Sequence, residues 1–196
     1  MAYTMTPWGY DVDGTLPPLI DLDQFDSLTG GKWSGDERVE WLVDAASATV
    51  RNLCGWHVSP SLPCRAVLDS DGSRSLWLPT TCLTGVSAVD VDGASCDAQW
   101  SRIGQVMPDL RVPRGLQVAV VDYVAGYDEP PSDLASVVSG MVVRSVAMSY
   151  GVASESAGGV SVSYATAASY GGAGVSATDA DLAALAQYRV VRAHAT

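Results

Sequence analysis

Apolar residues recur at three- and four-residue steps in two long stretches of the chain, and at every second residue between them. In Ser34 to His57, the positions Val39, Leu42, Val43, Ala46, Val50, Leu53 and Cys54 fall along one stripe of a 3.6-residue helix. After Pro130 and Pro131 the same spacing returns at Leu134, Val137, Val138, Met141 and Val142, with Ser132 placed as an N-cap and Gly151 as a stop. Each stripe needs an apolar partner, and each can serve as the partner of the other. A third, shorter helix is predicted near the end, capped by Thr178 and Asp181, with Leu182, Leu185 and Tyr188 along one face.

The boundaries of the first helix are written locally. Ser34 followed by Glu37 has the form of a capping box, Asp36 and Glu37 suit the positive N-terminal end, Arg51 suits the negative end, and Gly55 can take the left-handed conformation that stops it. From Val58 to Tyr127 the period changes to two. The runs CRAVLD (64–69), SLWLP (75–79), GVSAVDVD (85–92), QWSRIGQV (99–106) and QVAVVDYVAGY (117–127) are separated by DG, PTT and PRG, which predicts an antiparallel sheet or sandwich of about five strands. Trp77 and Trp100 are expected in its core or on its face.

Residues 1–33 hold Pro7, Pro17, Pro18 and five aspartates before the first base, Lys32, and read as an extended acidic arm. A short helix around Asp23 to Leu28 is expected within it, held by Leu19, Ile20, Leu22, Phe25 and Leu28; the first dozen residues are expected to order on a partner. Residues 151–178 are rich in Gly, Ser and Ala, a linker composition in which VSVSYA still alternates as a strand does. The fold class is therefore α+β. A helical core built on the two long helices (34–150) carries the β insertion (58–127), flanked by the extended N-terminal arm (1–33) and by a flexible, extended C-terminal segment (151–196) that brings the short C-terminal docking helix to that core.

Composition narrows the function. The chain has 196 residues, 47% hydrophobic and 17% charged, enough for one domain with a real core. Its net charge of −11 argues against a protein that coats nucleic acid. No run of about 18 apolar residues is present to span a bilayer, and the N-terminus lacks the basic start and apolar run of a signal peptide, so synthesis and retention in the cytoplasm are expected. Four scattered cysteines, Cys54, Cys64, Cys82 and Cys96, read as free thiols.

Three motifs invite chemistry. Cys54 and His57 form C-x-x-H with Cys64 nearby, but the second paired half of a zinc site is missing. DVDGT at Asp11 to Thr15 matches the nucleophile loop of haloacid-dehalogenase-like phosphatases; that loop must follow a buried apolar strand, and YTMTPWGY is not one. D-x-D-G recurs at Asp69–Gly72 and Asp90–Gly93 as hairpin turns would, and twelve positions from Asp69 stands Thr80 where a calcium loop needs glutamate. Trp77 and Trp100 as a sugar platform are a further alternative.

Taken together, LPPLIDLDQFDSLTGG, DERVEWLVDAASATVRNLCGWHVSP, DYVAGYDEPPSDLASVV, YGVASESAGGVSVSYA and LAALAQYR resemble, in order and spacing, the head-to-tail connector (adaptor) proteins of tailed bacteriophages, in the long form of actinobacterial phages. The resemblance implies a structural virion protein and no enzyme, cofactor or metal. It implies a homo-oligomeric ring, a dodecamer, below the portal protein, with a stopper or other neck or tail protein beneath and double-stranded DNA passing through the lumen without sequence-specific binding. The site residues follow from it: portal docking by Leu182, Leu185, Tyr188, Arg189 and Arg192; pairing between subunits by the segment with Ser154, Glu155, Ser156, Val160, Val162 and Tyr164; and a ring wall built on Val39, Leu42, Val43, Val50, Leu134, Val138, Met141 and Val142. The residues leave alternatives open. Leu182 and Leu185 can instead pack on the first two helices, 154–164 can be an ordinary surface hairpin, and another neck component, stopper or tail terminator, is the nearest rival.

Overall fold

The computed structural model describes residues 3–147 and 175–190, and the backbone of 154–157 and 160–163. The chain opens on a small hairpin of β1 (Tyr3–Met5) and β2 (Asp11–Asp13), closed by the Thr6 hydroxyl donating to the Tyr10 carbonyl at 2.6 Å. β2 then pairs with β3 (Leu62–Asp71), Asp11 opposite Arg65 and Val12 opposite Cys64. The N-terminal segment is thus a structural part of the sheet and not an arm awaiting a partner. Tyr10 and Val12 are buried, and so are Leu19, Ile20 and Phe25 around α1 (Leu22–Thr29). Burial of side chains this size stabilises by roughly 1.5–3 kcal/mol each, which outweighs the aspartate-rich composition that suggested an open arm. Asp21 caps α1 in a full capping box with Gln24. Asp11–Asp13 of DVDGT form β2, an inner strand between β1 and β3.

The second helix, α2 (Arg38–Cys54), buries the expected stripe apart from half-buried Leu53, and Gly55 at φ 79° ends it. Its start differs from the expectation. Residues Gly31 to Gly35 form turns, Gly35 has φ 85°, and Ser34 donates to the Asp26 carboxylate at 2.6 Å; the Arg38 N–H is taken instead by Asp36. Positive φ at Gly35 breaks the helical path between Ser34 and Glu37, so their capping box cannot form.

Nine strands make up the two larger sheets, seven of them between Val58 and Tyr127, where about five were expected. The larger has the antiparallel order β1-β2-β3-β9-β5-β6, with β5 (Leu83–Val91), β6 (Ala94–Cys96) and β9 (Arg114–Ala125). The smaller has the order β4-β8-β7, from β4 (Leu76–Trp77), β7 (Ala98–Trp100) and β8 (Gln105–Pro108). The run 99–106 is therefore a hairpin, not one strand. Asp92 and Gly93, both at positive φ, make the expected two-residue turn between β5 and β6, with the Gly93 N–H bound to Asp90. The first D-x-D-G does not join neighbouring strands: Asp69 accepts the Gln117 N–H across the bulge of the β3–β9 pair, and Asp71 accepts that of Ser73. Their carboxylates serve the backbone there. Inward residues of both sheets, among them Cys64, Val89, Val121, Leu76 and Val106, belong to one core.

α3 (Ser132–Ala147) buries Leu134, Val137, Val138, Met141 and Val142 and packs on α2 and α1. The expected stop at Gly151 lies outside the described residues. β10 (Ser154–Ala157) and β11 (Val160–Ser163) pair antiparallel with each other. The chain returns as α4 (Asp179–Leu185) and a 3₁₀ turn (Ala186–Tyr188), with Thr178 and Asp181 forming a full capping box.

Candidate assembly surfaces

Two polar residues interrupt the apolar stripe of α2, and one of them joins the helices to the sheet. Arg51 is buried, and its Nε donates to the His57 carbonyl at 2.8 Å while Nη2 donates to the carbonyls of Pro17 and Ser59 at 2.7 Å each. It is a clamp on three backbone acceptors, not a partner of the helix end, and burial lowers its pKa to about 10, leaving it charged at neutral pH. His57, also buried, continues the joint. Its Nε2 faces the Ala125 carbonyl at 2.9 Å, which can only accept, so Nε2 carries the hydrogen and Nδ1 accepts from the Tyr10 hydroxyl at 2.7 Å. The Tyr10 oxygen in turn accepts the His57 backbone N–H. With both ring nitrogens engaged and the Cys54 and Cys64 thiols pushed up to about 12 by burial, this C-x-x-H is built into the core, and all four cysteines are free.

Burial pushes the His57 pKa from 6.5 down to about 4. The folded state therefore holds neutral imidazole, while the unfolded chain takes up a proton below 6.5. The resulting stability, up to about 3 kcal/mol, is present in full above pH 6.5 and is lost as the pH falls from 6.5 to 4. Denaturant titrations across that window should show this slope, and His57→Gln should flatten it.

The C-terminal helix is fastened along α3 at both ends. Arg144 meets Asp181 at 2.5 Å, while Asp133 accepts from the Tyr188 hydroxyl at 2.8 Å and from Gln187 at 2.9 Å. Trp56, fully buried, donates its indole N–H to the Tyr188 carbonyl at 2.7 Å, and the Val190 N–H reaches the last α2 carbonyl at Cys54. Leu185 and Tyr188, expected to face the portal, face the chain's own core, whereas Leu182 is half-buried and Arg189 exposed. Arg192 and Tyr164 lie outside the described residues, as do the side chains of Ser154, Glu155, Ser156, Val160 and Val162. Val39, Leu42, Val43, Val50, Leu134, Val138, Met141 and Val142 fill the interior between α2 and α3. Sequence reasoning missed Arg51, His57, Tyr10, Trp56 and Asp133 as structural centres; Ser47 and Arg51, four apart on the apolar stripe, were the available signal.

Three tryptophans turn outward. Trp41 on α2 is 61% exposed, Trp77 58% and Trp100 43%, so the last two are not core residues. Trp77 pairs with Gln105 and Trp100 with Val106; adjacent β8 positions point to opposite faces, so the two indoles do not form one sugar-binding platform. Side chains inside the fold hold segments together, and large aromatic groups outside it are offered to neighbours. That arrangement suits a protein that acts through its surfaces.

Comparison with known proteins agrees. A family model described as head completion protein matches residues 19–172, and the chain belongs to that family. The head-to-tail connector class to which the sequence blocks point is borne out. Among solved structures the chain is similar to one from the neck of a native GTA particle computed with C12 symmetry, with a TM-score of 0.59 over 100% of this chain and 99% of that one. At 14% identity this likeness establishes the fold. Comparison with curated protein sequences finds no match.

Proposed function

We propose that the protein is the adaptor of the neck: a ring of twelve copies seated below the portal, joined beneath to a stopper or tail protein, through whose lumen double-stranded DNA leaves the head. The match to the head completion family over 19–172 carries this reading. The C12 symmetry of the similar neck supports the copy number. The chain acts as a structural part and not as an enzyme, in keeping with aspartates of DVDGT placed in a strand beside Arg65. Its acidic balance suits a channel that must not retain phosphate. Portal docking falls to what the C-terminal segment leaves outside, Leu182 and Arg189 together with Arg192, while Leu185 and Tyr188 hold that segment in place. The segment 154–164 reaches the adjacent subunit. Assembly takes place in the host cytoplasm, and the mature location is the head-to-tail junction of the virion.

The test is electron microscopy and mass measurement of the purified protein, alone and mixed with portal rings of the same phage. An added ring-shaped layer at portal stoichiometry is expected. A folded protein that leaves intact portal rings bare would move it to another neck position.

A further inference from the structure

The charges of this chain are distributed unevenly. The α2 surface opposite the buried stripe presents Trp41 with Glu37, Glu40 and Asp44 around it. The smaller sheet presents the reverse. Its outer face carries Trp77 and Met107, diagonal neighbours across β4 and β8, and exposed Arg74, Arg102 and Arg111 lie on the segments bordering that sheet. Among the described residues, the ion pairs use Arg38, Arg65 and Arg144, so these three arginines are not taken up by a carboxylate at ion-pair distance.

We infer that the Trp77 face of one copy docks on the Trp41 face of the next, a head-to-tail contact repeated around the ring alongside that of the 154–164 segment. This rests on the ring reading above and names its interface. Exposed Trp, Met and Arg are the side chains that dominate protein interfaces, and here the two faces are apolar at the centre and opposite in charge at the rim. Two different faces of one chain make a heterologous contact, and such contacts close into rings when the rotation permits. DNA is the weaker occupant. Met107, at the centre of the face, has nothing to offer a phosphate.

The experiment uses assembled necks. Ala48→Cys on α2 and Gln99→Cys on β7 place exposed thiols on the two faces. Treated with a bifunctional maleimide, necks of the double variant should give a ladder of linked copies, and necks of either single variant should not. No ladder, with both thiols accessible to a monofunctional maleimide, overturns the interface and leaves the ring reading standing; absence of the protein from the neck overturns the ring itself. As a second arm, Trp77→Ala with Arg74→Glu should weaken incorporation at least about thirtyfold while the purified chain melts as wild type. Normal incorporation, or normal incorporation with altered DNA retention, also overturns the proposal, the latter assigning the face to nucleic acid.

Discussion

Arg51→Leu is expected to lower the unfolding free energy by about 3–5 kcal/mol. The guanidinium donates to the carbonyls of Pro17, His57 and Ser59 inside the core, and leucine can replace its volume but none of its three bonds. The acceptors would then be buried without partners, each lost bond costing about 1–3 kcal/mol, with some recovered by local rearrangement. Arg51→Lys should recover less than half, because a point ammonium cannot reach three acceptors through a planar fork. Denaturant midpoints followed by circular dichroism would measure both. A loss below about 1 kcal/mol for Arg51→Leu would mean that water reaches these carbonyls and that the clamp is not what joins α1, α2 and the sheet.

The second large effect concerns the C-terminus. Trp56→Ala should cost about 3–5 kcal/mol, since it removes a fully buried indole packed against His57 and Tyr127. Trp56→Phe separates the contributions, keeping most of the packing and deleting the bond to the Tyr188 carbonyl, for about 1 kcal/mol. If that bond holds α4 in place, the Phe variant should also speed hydrogen exchange at the Val190 amide, which is bound to Cys54. Unchanged exchange there would show that the Asp133 and Asp181 contacts suffice. If the C-terminal helix served docking alone, a chain lacking residues 179–196 would fold normally and fail only at the portal. Burial of Leu185 and Tyr188 changes that expectation, because the truncation opens the core itself.

Both cases mark where sequence stops being informative. Periodicity located α2 and α3, and turn chemistry located the Asp92–Gly93 hairpin and the Gly55 stop, because these depend on residues three or four positions apart. The capping box at Thr178 and Asp181 was legible for the same reason, whereas that at Ser34 was not, since it depended on whether Gly35 left the helical path. Proline and aspartate content made residues 1–33 look open, yet Tyr10 meets His57 and Tyr123 and α1 packs on α3, all more than thirty residues away.

The amino-acid sequence alone determined the helical stripes, the alternating β segments, the acidic balance and the order of blocks that resembles phage connectors, all of them set by local spacing and composition. Tertiary structure decided which polar residues became internal joints, whether Leu185 faced inward or outward, and on which sides of the protein Trp41 and Trp77 emerged. Those outcomes depend on which distant carbonyls and apolar surfaces meet when the layers close, and no local spacing encodes that meeting.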